Sequence, residues 1–543
     1  MAENYPVGIQ SFEKLIDTNS IYVDKTSQIY SLIQKEGINN YFLSRPRRFG
    51  KSLLISTFKA IFQGKKELFK GFYIYDKIDW QPFPVIHLSM SDINFVGLGL
   101  EKALYLTIKK MAEDDEMTLA VEFAKSPLRE LLELLYEKYQ KKVVILIDEY
   151  DKPIIHGLEA GNSDVAEANR DILKNFYAGL KDADEYIRFL FITGVSKFAK
   201  VSIFSDLNHL IDITLVEDYT TICGYSQTEL EHYFPEGITK LAKKTGLTRE
   251  RCIERMKEWY DGFSWDGENF LYNPFSTLLL LNNSQFSNYW FSTGTPTFLV
   301  KMMREQNEYL LENIKVPPEA FDTFNLRKLD YKSLLLQTGY LAVKGRVMAD
   351  GAVDYYLVSF PNKEVKESFN KLLLGEFIDA TPTATNASIF DIRDAFAEND
   401  LDKVKEIIQA MFHSLPADLF EKRDRNGKVK PVGENFYHAI IYLIFNLLGV
   451  KMQAEVIVKG GRVDAVVETE EHVYLFEFKK DQSPELAIEQ IKQNQYFGKY
   501  LCPPMSPQFG GKKGGKTIHL IGVRFSLEER GIDAEKDWAE EVL

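Results

Sequence analysis

Residues 41–52 read Tyr41-Phe42-Leu43-Ser44-Arg45-Pro46-Arg47-Arg48-Phe49-Gly50-Lys51-Ser52, an apolar run, a tight basic loop and a helix opening at Lys51. This order is a context for phosphate, because the first backbone amides of a helix have no internal partner and point at a bound anion. Such a loop needs amides on the β-phosphate, an ammonium reaching the β- and γ-oxygens and a hydroxyl on Mg²⁺. Gly50, Lys51 and Ser52 are open to those roles, and Arg48 and Phe49 complete the candidate nucleotide-binding loop. The usual pattern GxxxxGK[ST] has glycine where this chain has Arg45.

A second stretch supports the reading. Val143-Val144-Ile145-Leu146-Ile147-Asp148-Glu149 is an apolar run long enough for a buried parallel strand, and it ends in two acids. Asp148 could hold Mg²⁺ through its waters and Glu149 could polarise an attacking water. A solvated strand end leading into an acidic helix start is the alternative, since acids favour helix N-termini. Together, loop and strand predict an NTPase. Arg45, Arg47 and Arg48 could clamp phosphate, face nucleic acid or a neighbouring subunit, or pair with the acidic strand end and Asp151; Arg48 is the expected clamp.

The chain has 543 residues, 45% hydrophobic and 27% charged, which excludes disorder as the dominant state and implies several domains. With 66 Lys plus Arg against 79 Asp plus Glu, the net charge of −13 repels polyphosphate, so any nucleic-acid contact is local. Cys223, Cys252 and Cys502 are too far apart for a disulfide framework or a close-spaced zinc cluster. The N-terminus lacks a basic region followed by an apolar core, and the apolar helix 439–450 is interrupted by Asn446, so a cytoplasmic, membrane-free location is expected.

Strand-like runs at 40–44, 85–88, 143–147 and 189–193 alternate with helical stretches over residues 1–215, an α/β pattern with a parallel sheet. Residues 216–380 read as helices followed by a helix at 331–341 and a hairpin over 341–358, suggesting a winged-helix module. A polar stretch at 381–386 is the expected hinge into 381–543, where linker helices precede a second α/β pattern.

In that last region 462–468 and 473–479 form a hairpin in which alternation places Glu477 and Lys479 on one face and Phe476 and Phe478 on the other. Asp464 followed by Glu477-Phe478-Lys479 matches D(x)nExK. Two carboxylates would bind a divalent cation, Mg²⁺ or Mn²⁺, and a lysine would orient or activate water near a scissile phosphate. A surface hairpin with alternating charge is the plain alternative. An apolar helix at 433–448 carries Glu434 and His438, and a helix at 484–500 carries Gln490, Tyr496 and Tyr500. Basic residues in the loop 510–516 could track a phosphate backbone or form a solvated linker.

RPRRFGKS, ILIDEYDKP and FITGVSKFAKVSIF together resemble the AAA-ATPase-like domain of a prokaryotic family, over residues 5–215; WYDGFSW and LYNPFS continue the likeness through 276. The resemblance implies that Thr193, or Ser196, occupies a sensor position. Residues 434–501 resemble the PD-(D/E)XK nuclease superfamily, in the branch fused to such ATPase domains. That likeness implies Glu434 as the acidic residue of the first helix, Asp464 and Glu477 as metal ligands and Lys479 as catalytic lysine. Gln490 and Tyr496, six apart, depart from the spacing of some relatives. The expectation is an ATP-hydrolysing protein whose metal-dependent nuclease domain acts under NTPase control on nucleic acid, DNA before RNA, with further copies of the chain an open partner. The alternative is a nucleotide-switched interaction protein that binds without cutting.

Overall fold

The computed structural model describes residues 4–35, 39–119, 126–197, 203–204, 209–291, 297–306, 311–321, 330–350, 352–378, 381–413, 421–423, 429–431, 434–448, 451–458, 461–480, 482–501, 516–526, 532–533 and 535–543. Two compact units divide the chain, one formed by Met1–Leu299 with Leu311–Lys366 and the other by Val300–Leu310 with Glu367–Leu543. The first unit therefore contains the ATPase-like region and most of the helical region after it.

The first unit is built on five parallel strands, β1 (Asn40–Ser44), β2 (Val85–Ser89), β3 (Val143–Asp148), β4 (Ile187–Gly194) and β5 (Ile211–Asp212), in the order β2-β3-β4-β1-β5. Every residue of β1 and β3 is buried, as the near-continuous apolar runs required. Parallel pairing brings all carboxyl ends to one edge, so Ser44 and Asp148 share it, with β4 and its Thr193 between their strands. The helix Lys51–Phe62 crosses the sheet and packs Phe58 against Phe189 and Phe191 at 5.2 and 4.7 Å. The β1-loop-helix unit is thus fixed by aromatic packing.

Beyond β5, four helices (Gln227–Tyr233, Pro235–Thr245, Arg249–Tyr260 and Pro274–Asn283) supply the core around Leu230, Leu241, Met256 and Leu281. The expected hairpin follows as β7 (Ala342–Ala349) and β8 (Ala352–Ser359), to which a third strand, β6 (Ile314–Val316), adds in the order β6-β8-β7. The helix before it is Tyr331–Thr338, shorter than the predicted 331–341, because Gly339 ends it at φ 87° in the left-handed region that glycine tolerates.

Glu364 is wholly buried in this unit, where its carboxylate accepts the backbone N–H of Trp290 and the Ser276 hydroxyl. Burial pushes its pKa up to about 7. A folded-state pKa above the unfolded one means that the native state holds a proton the unfolded chain has released. The contribution is therefore present below the unfolded pKa of about 4.5 and is lost as pH rises toward 7, by up to roughly 3 kcal/mol. Thermal unfolding midpoints followed from pH 5 to 7 should fall in the wild type and fall less in Glu364→Gln.

The second unit carries a small pair, β9 (Glu421–Arg423) and β10 (Val429–Pro431), and a five-stranded mixed sheet of β11 (Lys451–Val458), β12 (Gly461–Glu468), β13 (His472–Lys480), β14 (Thr517–Phe525) and β15 (Trp538–Val542) in sequential order. The stretch expected as a hinge instead opens the helix Pro382–Ala397, where proline occupies the first helical position and tolerates its missing N–H there. The predicted helix 484–500 stops at Gln493; Gln495 takes a left-handed φ of 49° and a short second helix, Gly498–Leu501, follows. Among the described residues no helix is long and apolar enough to cross a membrane.

Candidate functional sites

A cavity of about 490 Å³ opens at the carboxyl edge of the parallel sheet. Its lining combines polar residues, among them Arg47, Arg48, Lys51, Ser52 and Glu149, with apolar ones such as Ile9, Phe275 and Leu278. Gly50 stands at the helix N-cap with φ 96°, a conformation that turns the chain sharply into the first helical turn and that a side chain would strain. Lys51 is 5% exposed, and its ammonium donates to the carbonyls of Arg45 and Pro46 at 2.9 and 2.8 Å. Burial draws its pKa down, against the attraction of Asp148, Glu149 and Asp151.

The three loop arginines go three ways. Arg47 pairs with Glu159 at 2.7 Å on the cavity wall. Arg48, at φ 61°, lies over the Phe275 ring at 5.0 Å and faces the cavity. Arg45 turns away from it, fully buried, and donates to the carbonyls of Ser44, Thr214, Tyr219 and Thr220. Desolvation lowers its pKa to about 10. Of the roles open to Arg45, contact with phosphate or nucleic acid does not fit this burial. Phe49 lines the cavity and packs its ring onto Phe263 and Trp265 at 5.3 Å each. If Arg48 clamps phosphate, Arg48→Ala should weaken ATP binding about tenfold relative to Lys66→Ala, a residue outside the cavity lining; equilibrium titration with ATP compares the two.

At the end of β3, Asp148 is buried and accepts a 2.6 Å hydrogen bond from the Thr193 hydroxyl. Neither Asp148 nor the fully buried Thr193 is among the residues that line the cavity; the two are joined to each other directly behind Glu149 at the end of β3. Ser196, the other sensor candidate, donates by its amide and hydroxyl to Asp151. Glu149 lines the cavity with φ 54°, a left-handed backbone that costs a non-glycine residue on the order of 1 kcal/mol and recurs at functional sites. The Ser91 hydroxyl donates to Glu149, and the Lys152 ammonium stands 3.4 Å from the same carboxylate. Burial pushes Glu149 up, but the Ser91 hydrogen bond and the charges of Lys51 and Lys152 leave it below the usual glutamate range. Ser91 and Lys152 were not singled out by sequence. Lys152 carried a signal, one helical turn after Glu149; Ser91 lies beyond β2 and had none.

In the second unit the β12–β13 register pairs Ala465 with Phe476, which sets Asp464 across from Glu477. Asp464 accepts the Phe478 N–H at 2.8 Å. Glu477 is 2% exposed; its Oε1 accepts from Lys479 at 3.0 Å and from the Gln490 side chain, while its Oε2 has no hydrogen-bond partner among the described residues. Burial, then repulsion from Asp464, pushes the Glu477 pKa up to about 7 against the pull of Lys479. A buried carboxylate oxygen left without a donor, facing a second carboxylate, is the arrangement that a divalent cation would complete, so this pair fits Mg²⁺ or Mn²⁺. Among the described residues no group of three or more His, Cys, Asp or Glu side chains is placed to hold a metal. Glu434 begins the helix Glu434–Leu447, but its side chain, like that of His438, lies outside the described residues, as does most of the basic loop 510–516.

Alternation along β13 holds as predicted: Phe476 and Phe478 pack on Phe445 at 4.8 and 6.2 Å. The opposite face is also covered. Val473 and Leu475 join Ile488, Ile491 and Tyr496 in one core, so the helix Pro484–Gln493 lies over the face that carries Glu477. Gln490, whose role the spacing left open, is brought onto Glu477 from that helix.

Comparison with known families matches both regions. A family described as predicted AAA-ATPase, AAA-ATPase-like, matches residues 6–204, and the PD-(D/E)XK nuclease superfamily matches 432–535. A protein of Azotobacter chroococcum mcd 1, described as "Uncharacterized protein in vnfD 5'region", is 35% identical over 539 residues, covering 97% of each chain. The chain belongs to the family in which a predicted AAA-ATPase domain precedes a PD-(D/E)XK nuclease superfamily domain on one polypeptide.

Proposed function

We propose that the chain binds and hydrolyses ATP in the first unit and cleaves nucleic-acid phosphodiester bonds in the second, with nucleotide state controlling cleavage. In this reading Lys51 leaves the carbonyls of Arg45 and Pro46 for the β- and γ-phosphates, Arg48 adds a second cation, and Glu149 accepts the proton of the attacking water. Ser52 and Asp148 are the residues for a magnesium ion beside the triphosphate, and Thr193 fixes the Asp148 carboxylate.

The observation that carries the nuclease reading is the Glu477 oxygen left without a donor, opposite Asp464 and beside Lys479. A Mg²⁺ or Mn²⁺ ion held by Asp464 and Glu477 would supply Lewis-acid stabilisation of the phosphate. Lys479 orients water and offsets the charge that develops on phosphorus-bound oxygens, and Gln490 holds Glu477 in place. Glu434 joins the acidic set by its place in the family pattern. The polymer is DNA, met through local basic surface in a cytoplasmic setting. Single- and double-stranded DNA and RNA incubated with the full chain and Mg²⁺ or Mn²⁺ test this. Metal-dependent cleavage of DNA is the expected result, preferential cutting of RNA would correct the substrate, and no cutting of any polymer would leave the binding-only reading.

A further inference from the structure

Arg45 occupies the position where the phosphate-loop pattern has its first glycine, and its side chain does something that glycine cannot. Four of its hydrogen bonds run to carbonyls on two separate segments, Ser44 at the end of β1 and Thr214, Tyr219 and Thr220 beyond β5. The guanidinium carbon lies over the Trp265 ring, 4.0 Å from its centroid. Among the described residues no carboxylate lies within ion-pair distance and its Nε has no hydrogen-bond partner, so carbonyl dipoles, one aromatic face and the longer-range attraction of Asp212 and Asp266 stabilise a fully buried cation. Trp265 meets the loop a second time, through the Phe49 ring at 5.3 Å. The carbonyl of Arg45 itself is one of the two acceptors that hold the Lys51 ammonium. One side chain and one indole therefore fix the loop before and after Pro46-Arg47-Arg48.

We infer that Arg45 and Trp265 form a staple that holds the phosphate loop in its triphosphate-accepting shape, which makes both of them positioning residues for nucleotide binding. The inference rests on the ATP reading of the cavity. Neither residue lines that cavity, so their effect passes through the loop. Two properties follow from the chemistry of the contacts. Lysine at position 45 keeps the charge but has no planar fork to serve carbonyls on two segments at once, so it is a poor substitute. Phenylalanine at position 265 keeps a π face, so it is a fair one. The two side chains act on one loop, so their losses overlap instead of adding.

The test uses the full chain and titrates ATP and AMP into the wild type, Arg45→Lys, Arg45→Met, Trp265→Phe, Trp265→Leu and the Arg45→Met/Trp265→Leu double variant, with thermal unfolding midpoints recorded for each. Trp265→Leu and Arg45→Met should weaken ATP binding tenfold or more, Arg45→Lys severalfold, and Trp265→Phe less than threefold. The double variant should bind no more weakly than the weaker single variant. AMP, which lacks the phosphates the loop would grip, should bind all of them alike. ATP affinity unchanged in a folded Arg45→Lys chain, equal losses for ATP and AMP, or additive losses in the double variant would overturn the inference. If the larger substitutions fail to fold, the Arg45→Lys titration alone decides. Absence of ATP binding by the wild-type chain would instead remove the ATP reading itself.

Discussion

Lys479→Ala should leave divalent-metal binding intact while lowering phosphodiester cleavage about 10²- to 10³-fold, and Asp464→Ala should lose both. The difference follows from what each side chain is. Asp464 offers a carboxylate opposite Glu477, and a hard cation deprived of one of few protein oxygens binds weakly. Lys479 offers no ligand atom; its ammonium sits 3.0 Å from Glu477, and its removal takes away a positive charge that would compete with the cation. Metal affinity should therefore hold or rise slightly. Asp464 also accepts the Phe478 amide, so Asp464→Ala carries a stability cost of roughly 1–3 kcal/mol. Asp464→Asn keeps that acceptor and separates folding from metal binding. Calorimetric titration of Mn²⁺ beside a cleavage assay reads the pattern. Full-rate cleavage by Lys479→Ala would remove the nuclease assignment.

Lys51→Ala should abolish ATP hydrolysis and weaken ATP binding, while Glu149→Gln should bind ATP and fail to turn it over. Lys51 is the buried ammonium at the loop, held by two carbonyls within the attraction of three carboxylates, and it is the group that would neutralise charge on the transferring phosphoryl. Glu149 has a different task. Its backbone strain and its hold by Ser91 and Lys152 set a carboxylate kept below the usual glutamate range at the cavity wall, and amide replacement removes its basicity with little change in size. Phosphate release and nucleotide titration on both variants distinguish a binding defect from a chemical one. Undiminished turnover by Lys51→Ala would end the ATPase assignment at this loop.

Much of this architecture was legible because the deciding segments are local. The apolar run 143–147 could only be a buried strand, and the alternation at 473–479 dictated which residues share a face. What alternation could not say is whether the second face meets water or a helix. Glu477 is buried because Ile488 and Ile491 bring a helix over it, a contact that depends on tertiary packing and not on period. The same holds at the phosphate loop. Sequence marked Arg45 as a departure and WYDGFSW as a continuation of the family resemblance, but only the fold brings Trp265 onto Arg45 and the Trp290 indole onto the carbonyl of Arg47 at 2.8 Å. The helix 484–500 is read too long from sequence because Asn494-Gln495 carries no proline or glycine to mark its end; the chain turns left-handed at Gln495, directly before the buried Tyr496.

Nucleotide control is the link between the two proposed chemistries, and its most direct measurement is the rate of DNA cleavage by the 543-residue chain in Mg²⁺, with and without ATP, beside the same pair of rates for Lys51→Ala. ATP should change the wild-type rate and leave the Lys51→Ala rate where it stands without nucleotide. Cleavage that proceeds equally in all four reactions, or in none of them, would contradict nucleotide control.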